Sequence, residues 1–588
     1  MDSGYAFWKE RLEGTPDGDE IDKMGAEEAA DAFCGDLSFG TGGLRGIMGM
    51  GTNRINRHTV ERVTHGLAKT ILSKPGHPKS VGVAYDVRHN SADFAETVCE
   101  VLSAHGIAVY IFDKPMPTPA LSFAIRRMKL GWGVVITASH NPREYNGYKV
   151  YDGNGVQLTD GMAAEVTAAI GTVQCFEPMP EGKEAQIRIF GPDVEAEYLE
   201  QIAAYALTAC RPPSFDTGPA GVLDGLVAKG GSGNTKHEEK GDLQKAPADN
   251  RTGSNDSDML SDILQKGPAN TKQAFVYSAL HGTGAAAIPQ VLEKLGFAPI
   301  CIQQEPDGDF GGMATPNPEE PDVYAMAMEE ADKTGARLLM ATDPDCDRVG
   351  VMEKAGNGFK MLSGNQIGAL LIDYLAQTKG VTPGDTVITT IVSGLLGELV
   401  AKSYGLEFVR LLTGFKYIGE HAERLAEGKR FFFGYEESYG FLAGDGARDK
   451  DAVIAAALIA QMAEHYDSLG LTLLDRWDEL SGKHGYCIEA LHGAAIAPAR
   501  LKEIMEAMRC GPDISGIART EDYLNGLHGL PKSDVIKFYF DDGGWAAIRP
   551  SGTEPKIKLY AGTYAKTRKE AEASLESITG KLLPMFEI

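Results

Sequence analysis

Short apolar runs recur along most of this chain, each followed by a stretch in which apolar positions return at helical spacing. Val81-Gly82-Val83-Ala84-Tyr85, Val109-Tyr110-Ile111-Phe112 and Val134-Val135-Ile136 read as strands. So do Phe275-Val276-Tyr277, Arg337-Leu338-Leu339-Met340-Ala341 and Val387-Ile388-Thr389-Thr390. Such unbroken runs suit strands covered on both faces, so the pattern predicts α/β units. Several runs end in Asp, Gly, Thr or Ser, which suit loops at the carboxyl ends of strands, where open α/β sheets bind ligands.

At 588 residues the chain is too long for one core, and about three to five domains are expected. One stretch breaks the alternation. No aromatic residue lies between Phe215 and Phe275, and Gly231 to Asp258 is rich in Gly, Ser, Asn, Asp and Lys. That composition buries too little apolar surface to offset chain entropy, so 211–273 is expected to be a mostly disordered insertion. A short amphipathic helix is expected within it at Met259 to Leu264.

The formal charge of −25 argues against nucleic acid or an anionic membrane as partner, since both need a basic surface. A small anionic substrate remains open, because a local cluster of Arg and Lys overrides the global sign. The eight cysteines are scattered, with no CxxC pair, which fits reduced thiols rather than a disulfide framework or zinc site. Met1 to Leu12 lacks the apolar core of a signal peptide, and the apolar run Ala452 to Ala463 is shorter than the ~20 residues of a membrane span. The cytoplasm is the expected compartment.

Four segments carry chemistry. Thr137-Ala138-Ser139-His140-Asn141-Pro142 places a hydroxyl at the exit of a buried strand. It lacks a GxSxG elbow, and the side chains of sequence neighbours such as Ser139 and His140 usually diverge, so a hydrolase dyad is not implied. Asp343-Pro344-Asp345-Cys346-Asp347-Arg348 also follows a strand; in an extended loop its three carboxylates point to one side and suit magnesium. An EF-hand fails, because Arg348 and Lys354 stand where glycine and glutamate are needed. Arg549-Pro550-Ser551-Gly552-Thr553-Glu554-Pro555-Lys556-Ile557-Lys558 combines cations, hydroxyls and a glycine in a phosphate cradle. Gly434-Tyr435-Glu436-Glu437-Ser438-Tyr439-Gly440 presents paired glutamates that suit adjacent sugar hydroxyls. Taken singly, the last two are as readily a capping turn and an ordinary strand-end turn.

With these motifs in order, the chain resembles the α-D-phosphohexomutase superfamily over almost its whole length except 211–273. Phe39-Gly40-Thr41-Gly42-Gly43-Leu44-Arg45-Gly46 and Thr413-Gly414-Phe415-Lys416 are similar to two further family loops. The motif details lie closest to the branch of bacterial phosphoglucomutases and eukaryotic phosphopentomutase-type enzymes. The resemblance implies an α/β fold of four domains around a central cleft: three related α/β modules and a C-terminal α+β domain. Boundaries are expected at 1–195, 196–355, 356–478 and 479–588. It makes Ser139 the phosphoserine and a further metal ligand beside Asp343, Asp345 and Asp347, which hold Mg2+. Arg45 and Arg348 offset charge at the transferring group; His140 and Lys149 serve proton transfer or positioning. Thr413, Gly414, Lys416, Glu436 and Ser438 contact the sugar, and Arg549, Ser551, Gly552, Thr553 and Lys558 hold the phosphate that does not react. Two departures stand out: Tyr435 replaces the glycine that many relatives carry before the paired glutamates, and Lys556 and Lys558 are the late cations where many have arginine, which supplies a bidentate fork.

The implied reaction interconverts glucose 1-phosphate and glucose 6-phosphate through glucose 1,6-bisphosphate. Lys149 is the expected base, which requires a depressed pKa. Phosphopentomutase and phosphomannomutase activities are alternatives in the same class; a metal-dependent sugar phosphatase and a non-catalytic sugar-phosphate sensor are rivals from other classes.

Overall fold

The computed structural model describes residues 3–40, 43–182, 184–209, 275–512, 514–550 and 556–586. The expected insertion and its short helix lie outside these residues, as do Ser551, Gly552 and Thr553 of the phosphate loop.

Each run read as a strand lies in one, with ends shifted by a residue or two. Trp132–Ile136, Leu338–Thr342 and Asp385–Thr390 are buried at every position, as strands covered by helices on both faces require. The strands form four sheets. In the first, Ser80–Tyr85 lies between Ala108–Ile111 and Trp132–Ile136, parallel to both, and the antiparallel Tyr145–Asp152 follows Trp132–Ile136. The second sheet repeats this order: Val276–Ser278 between Ile300–Ile302 and Leu338–Thr342, then the antiparallel Val349–Ala355. The third repeats it again with Asp385–Thr390, Glu407–Leu411, Arg430–Tyr435 and the antiparallel Phe441–Leu442. The fourth is an antiparallel sheet of Tyr486–Ala495, Lys556–Ala565, Trp545–Pro550, Ile536–Phe540 and Ile517–Asp522.

This repetition places the chemistry. In all three related modules the loop between the third parallel strand and the antiparallel return strand carries a motif: Ser139 in the first, the three aspartates in the second, the paired glutamates in the third. Each of these loops also holds a non-glycine residue in the left-handed region, Ser139 at φ 53°, Cys346 at φ 54° and Tyr439 at φ 63°. Such backbone costs roughly 1–3 kcal/mol each and persists only where its surroundings fix it.

The modules share cores. Helix Ala452–Ser468 is apolar around most of its circumference because it packs against helices Gly284–Lys294 and Pro192–Ala209 of the neighbouring modules as well as its own. Leu458, Ile459 and Met462 are fully buried there. Burial stabilises each by roughly 1.5–3 kcal/mol, more than the ~0.5–2 kcal/mol lost in ordering the side chain.

Two elements lie across the expected limits. Strand Gly358–Leu362 pairs with Val349–Ala355, so the second sheet continues past 355/356. The limit at 195/196 falls inside helix Pro192–Ala209, whose apolar face spans the junction of modules and leaves no break in the pattern.

Candidate active site

Ser139 leaves strand Trp132–Ile136 in a tight loop whose amide donates to Thr137 Oγ1 at 2.8 Å. The left-handed backbone at Ser139 folds consecutive side chains together rather than apart. Ser139 Oγ therefore lies 3.2 Å from His140 Nδ1, against the expectation that these neighbours diverge. The hydroxyl donates to Asp343 Oδ2 at 2.7 Å, so its single proton is taken. In the contact with His140 the donor is set by the imidazole tautomer. Burial, with Arg348 and Arg45 nearby, holds the imidazole well below its usual pKa and hence neutral.

The serine loop is clamped from behind by Arg88, a residue the motifs did not single out. Its guanidinium donates to the carbonyls of Ser139 and Asn141, both at 2.5 Å, and to those of Pro142 at 2.8 Å and Tyr145 at 2.9 Å. Asp86 pairs with it at 3.3 Å and the Phe310 ring of the second module covers it at 5.0 Å. The sequence signal was Asp86 and Arg88 directly after a predicted strand.

The aspartate loop is a turn, not the extended segment expected. Cys346 N donates to Asp343 O at 2.9 Å, and Asp343 Oδ1 accepts the amides of Asp347 and Arg348 at 3.0 and 2.9 Å. Folding the loop still gathers the three carboxylates, with one oxygen of each within 4.8 Å of the others and all three residues buried. Asp345 Oδ1 and Asp347 Oδ1 are buried with no hydrogen-bond partner among the described residues. Burial, together with Asp347 and Asp345, pushes the Asp343 carboxyl well above its usual range. Three converging carboxylates with orphaned oxygens and mutual repulsion fit a hard divalent cation.

Cations ring this triad. Lys149 Nζ lies 2.7 Å from Asp345 Oδ2 and 3.1 Å from Asp347 Oδ2. Burial works to lower the Lys149 pKa, but Asp345 and Asp347 overcome it and leave it raised. That reverses the depressed lysine expected of a base: an ammonium so paired donates. Arg45 and Lys149 share one sheet face on the adjacent strands Gly43–Ile47 and Tyr145–Asp152. Gly147 lies between them, where a Cβ would meet Thr137 O at 2.4 Å. Arg45 reaches Asn141 Oδ1 at 2.8 Å, and Arg348 bonds Glu319 Oε1 at 2.6 Å.

Lys450, also not foreseen, contacts Asp347 Oδ2 at 3.1 Å and Asp449 Oδ1 at 3.4 Å. Its signal was the dense run Arg448-Asp449-Lys450-Asp451 before an apolar helix, where all four charges prove buried. Thr118 Oγ1 donates to Asp345 Oδ2 at 2.8 Å, with no sequence signal at all.

The third module adds Glu436, whose Oε1 accepts Gly414 N at 2.8 Å and joins the two loops expected to contact sugar. Burial and the adjacent Glu437 push the Glu436 pKa up to about 7. Ser438 is half-buried beside them, and Thr413 Oγ1 is buried without a hydrogen-bond partner among the described residues. Lys416 instead points its ammonium at Asp160, at 2.5 Å. From the fourth module, Arg549 and Lys558 sit opposite each other on paired strands. Burial and Arg549 lower the Lys558 pKa.

Models of the family described as phosphoglucomutase/phosphomannomutase match the chain in order. Its α/β/α domains I, II and III match residues 36–174, 258–356 and 363–480, and its C-terminal domain matches 494–578. A phosphoglucomutase of Staphylococcus epidermidis is 34% identical over 580 residues, covering 94% of this chain and 95% of the relative. One from Staphylococcus haemolyticus is 33% identical over 548 residues, covering 89% and 90%. In fold, the chain is similar to a putative phosphomannomutase from Thermus thermophilus, with TM-score 0.65 at 19% identity and coverage of 94% and 100%. It is similar too to the open form of parafusin, a phosphoglucomutase from Paramecium, with TM-score 0.66 at 15% identity and coverage of 94% and 95%. The chain belongs to the phosphoglucomutase/phosphomannomutase family.

Proposed function

We propose that this chain is a mutase that interconverts glucose 1-phosphate and glucose 6-phosphate through phospho-Ser139 and glucose 1,6-bisphosphate. One observation carries the reading: the Ser139 hydroxyl, 2.7 Å from Asp343, sits against a buried carboxylate triad ringed by Lys149, Lys450, Arg45 and Arg348. That is an environment for a phosphoryl group. The phosphoglucomutase relatives support glucose as the sugar.

Asp343, Asp345 and Asp347, with an oxygen of the serine's phosphoryl group, would hold Mg2+, which when bound stabilises charge on the phosphoryl oxygens. Arg549 and Lys558 bind the phosphate that does not react, together with Ser551, Gly552 and Thr553, which lie between them in sequence. Glu436, with a pKa near 7, accepts from or donates to the sugar hydroxyls, beside Ser438. A sugar hydroxyl oxygen bonds to phosphorus as the bond from phosphorus to Ser139 Oγ breaks; the hydroxyl proton passes to His140 Nε2 while the Nδ1 proton passes to the departing Ser139 Oγ, leaving the imidazole neutral. The bisphosphate turns around; its other phosphoryl group passes to Ser139 Oγ, whose proton returns to His140 Nδ1 as the Nε2 proton passes to the departing sugar oxygen. Lys149 keeps its proton throughout and stabilises negative charge. Closure of the fourth module limits loss of the phosphoryl group to water.

The overall acidity supports a small-molecule substrate rather than nucleic acid or membrane. Every described cysteine is a free thiol, which supports a reducing compartment such as the cytoplasm. Among the described residues no helix is long and apolar enough to cross a membrane.

The test compares catalytic efficiencies on glucose, mannose and ribose 1-phosphates while inorganic phosphate is followed. Glucose 1-phosphate should be preferred and yield an isomer with negligible phosphate. Preference for ribose or mannose would replace the sugar assignment; steady phosphate release would replace the mutase by a phosphatase.

A further inference from the structure

Asp160 opens helix Asp160–Ile170 of the first module, yet its carboxylate is spent on the third. Oδ1 accepts from Lys416 Nζ at 2.5 Å and Oδ2 from Tyr417 OH at 2.6 Å. Next to it, Thr159 Oγ1 donates to Glu420 at 3.3 Å. Lys416 is buried, 4% exposed, while Asp160 is 45% exposed, so the carboxylate closes over the ammonium from outside. An ammonium held this way is not presented to a substrate phosphate.

The segment that Asp160 grips contacts the first, third and fourth modules and reaches the second only through Lys450. Gly414 N donates to Glu436 at 2.8 Å. The Phe415 ring lies 5.7 Å from Lys450 Nζ, which contacts Asp347 of the second module. Tyr417 packs into the apolar cluster of Tyr523, Trp545 and Tyr560 in the fourth. The first module, which carries Ser139, also holds the helix Phe415–Glu423 through Thr159 on Glu420 and Arg126 on Glu423, but Asp160 alone of these grips Lys416 and Tyr417.

We propose that Asp160 is a positioning residue: by holding Lys416 and Tyr417 it fixes the sugar-facing loop relative to the phosphoserine and keeps the bisphosphate in the cleft while it turns. This rests on the mutase reading above. The intermediate must release its contacts on the third module and remake them without leaving, so the loop has to stay in register with Ser139 through the turn. A loosened loop lets the bisphosphate escape, and each escape leaves Ser139 without its phosphoryl group.

The experiment uses the full-length protein, wild type and the variants Asp160→Asn, Lys416→Met, their double, and Tyr417→Phe. It measures KM and kcat for glucose 1-phosphate, the glucose 1,6-bisphosphate concentration giving half-maximal rate, and the rate at which saturating bisphosphate phosphorylates Ser139. Losing a hydrogen bond to a charged group should raise the bisphosphate requirement about tenfold in Asp160→Asn, with kcat at saturation within about threefold of wild type. KM should rise with it, while phosphorylation of Ser139 keeps its wild-type rate. Lys416→Met should match Asp160→Asn, and the double variant should be no worse than either, the signature of one shared interaction. Tyr417→Phe keeps the ion pair and should show a smaller rise of the same kind. An unchanged bisphosphate requirement, additive single effects, or a fall in kcat at constant KM would overturn the proposal. Wild-type turnover with Asp160→Asn unaltered removes this proposal alone; a wild-type chain that never forms phosphoserine removes the mutase reading as well.

Discussion

The Ser139 hydroxyl and the Asp343 carboxylate meet at 2.7 Å across 204 residues of chain and two separate sheets. They meet because each lies in the same topological place, the loop after the third parallel strand of its own module. The modules face each other at those loops. Val349 N bonds Tyr439 O at 3.2 Å and Thr118 N bonds Asp345 O at 2.9 Å, so the chemistry and the module junctions are one structure.

Within the triad it is Asp343 whose carboxyl opposes folding in metal-free protein. Asp343 is pushed up by burial and by two like charges, so its folded pKa exceeds its unfolded one. Stability linked to it is greatest at low pH and falls as pH rises through the folded pKa. In chelator-treated protein Asp343→Asn should therefore raise stability at pH 7, by about 1–3 kcal/mol, while turnover is lost. Denaturant unfolding beside a turnover assay checks both; a less stable metal-free variant would contradict the account.

Arg88 tests whether the serine loop needs a fork rather than a charge. Lysine cannot satisfy four carbonyls in one plane. Arg88→Lys should lower kcat by about a hundredfold through displacement of Ser139 and leave KM near wild type. Steady-state kinetics decide; a raised KM with normal kcat would place Arg88 in substrate binding instead.

Much of this site was legible. The strand runs marked where loops would emerge, and hydroxyl, carboxylate and cation motifs in those loops named the chemistry before any contact was known. Three kinds of feature were not. Lys450, Thr118 and Glu319 act through side chains brought in by tertiary packing, and a charged run before a helix looks the same in sequence whether buried or solvated. Ser139 and His140 face each other only because of a left-handed φ, which no residue type there announces. Strand Gly358–Leu362 went unread because it mostly alternates exposed and half-buried positions, as an edge strand does, and lacks the apolar run that marked the others.

Glu489 joins the fourth module to the third, facing Asn365 and Arg410, and burial pushes its pKa up to about 7. With the folded pKa above the unfolded one, wild-type stability linked to this group falls as pH rises from about 4.5 through 7 and is flat above. Glu489→Gln should thus be more stable than wild type at pH 8, by about 1–2 kcal/mol after allowance for partial exposure, and equal to it near pH 4.5. Unfolding monitored at both pH values checks the sign; an advantage confined to low pH would contradict it.

Chelation should silence the enzyme and Mg2+ should restore it. Without the cation the orphaned oxygens of Asp345 and Asp347 have no ion to bring to the phosphoryl oxygens, so turnover should fall by about a thousandfold or more. Turnover that persists in excess chelator would detach the three aspartates from the reaction.

The covalent carrier is the central claim, and mass spectrometry reads it directly. The protein is incubated with glucose 1,6-bisphosphate, its intact mass is taken, and the modified peptide is mapped. One added phosphoryl group located on Ser139, absent from Ser139→Ala, is the predicted result. No added mass, or a phosphoryl group on any other residue of an active preparation, would contradict it.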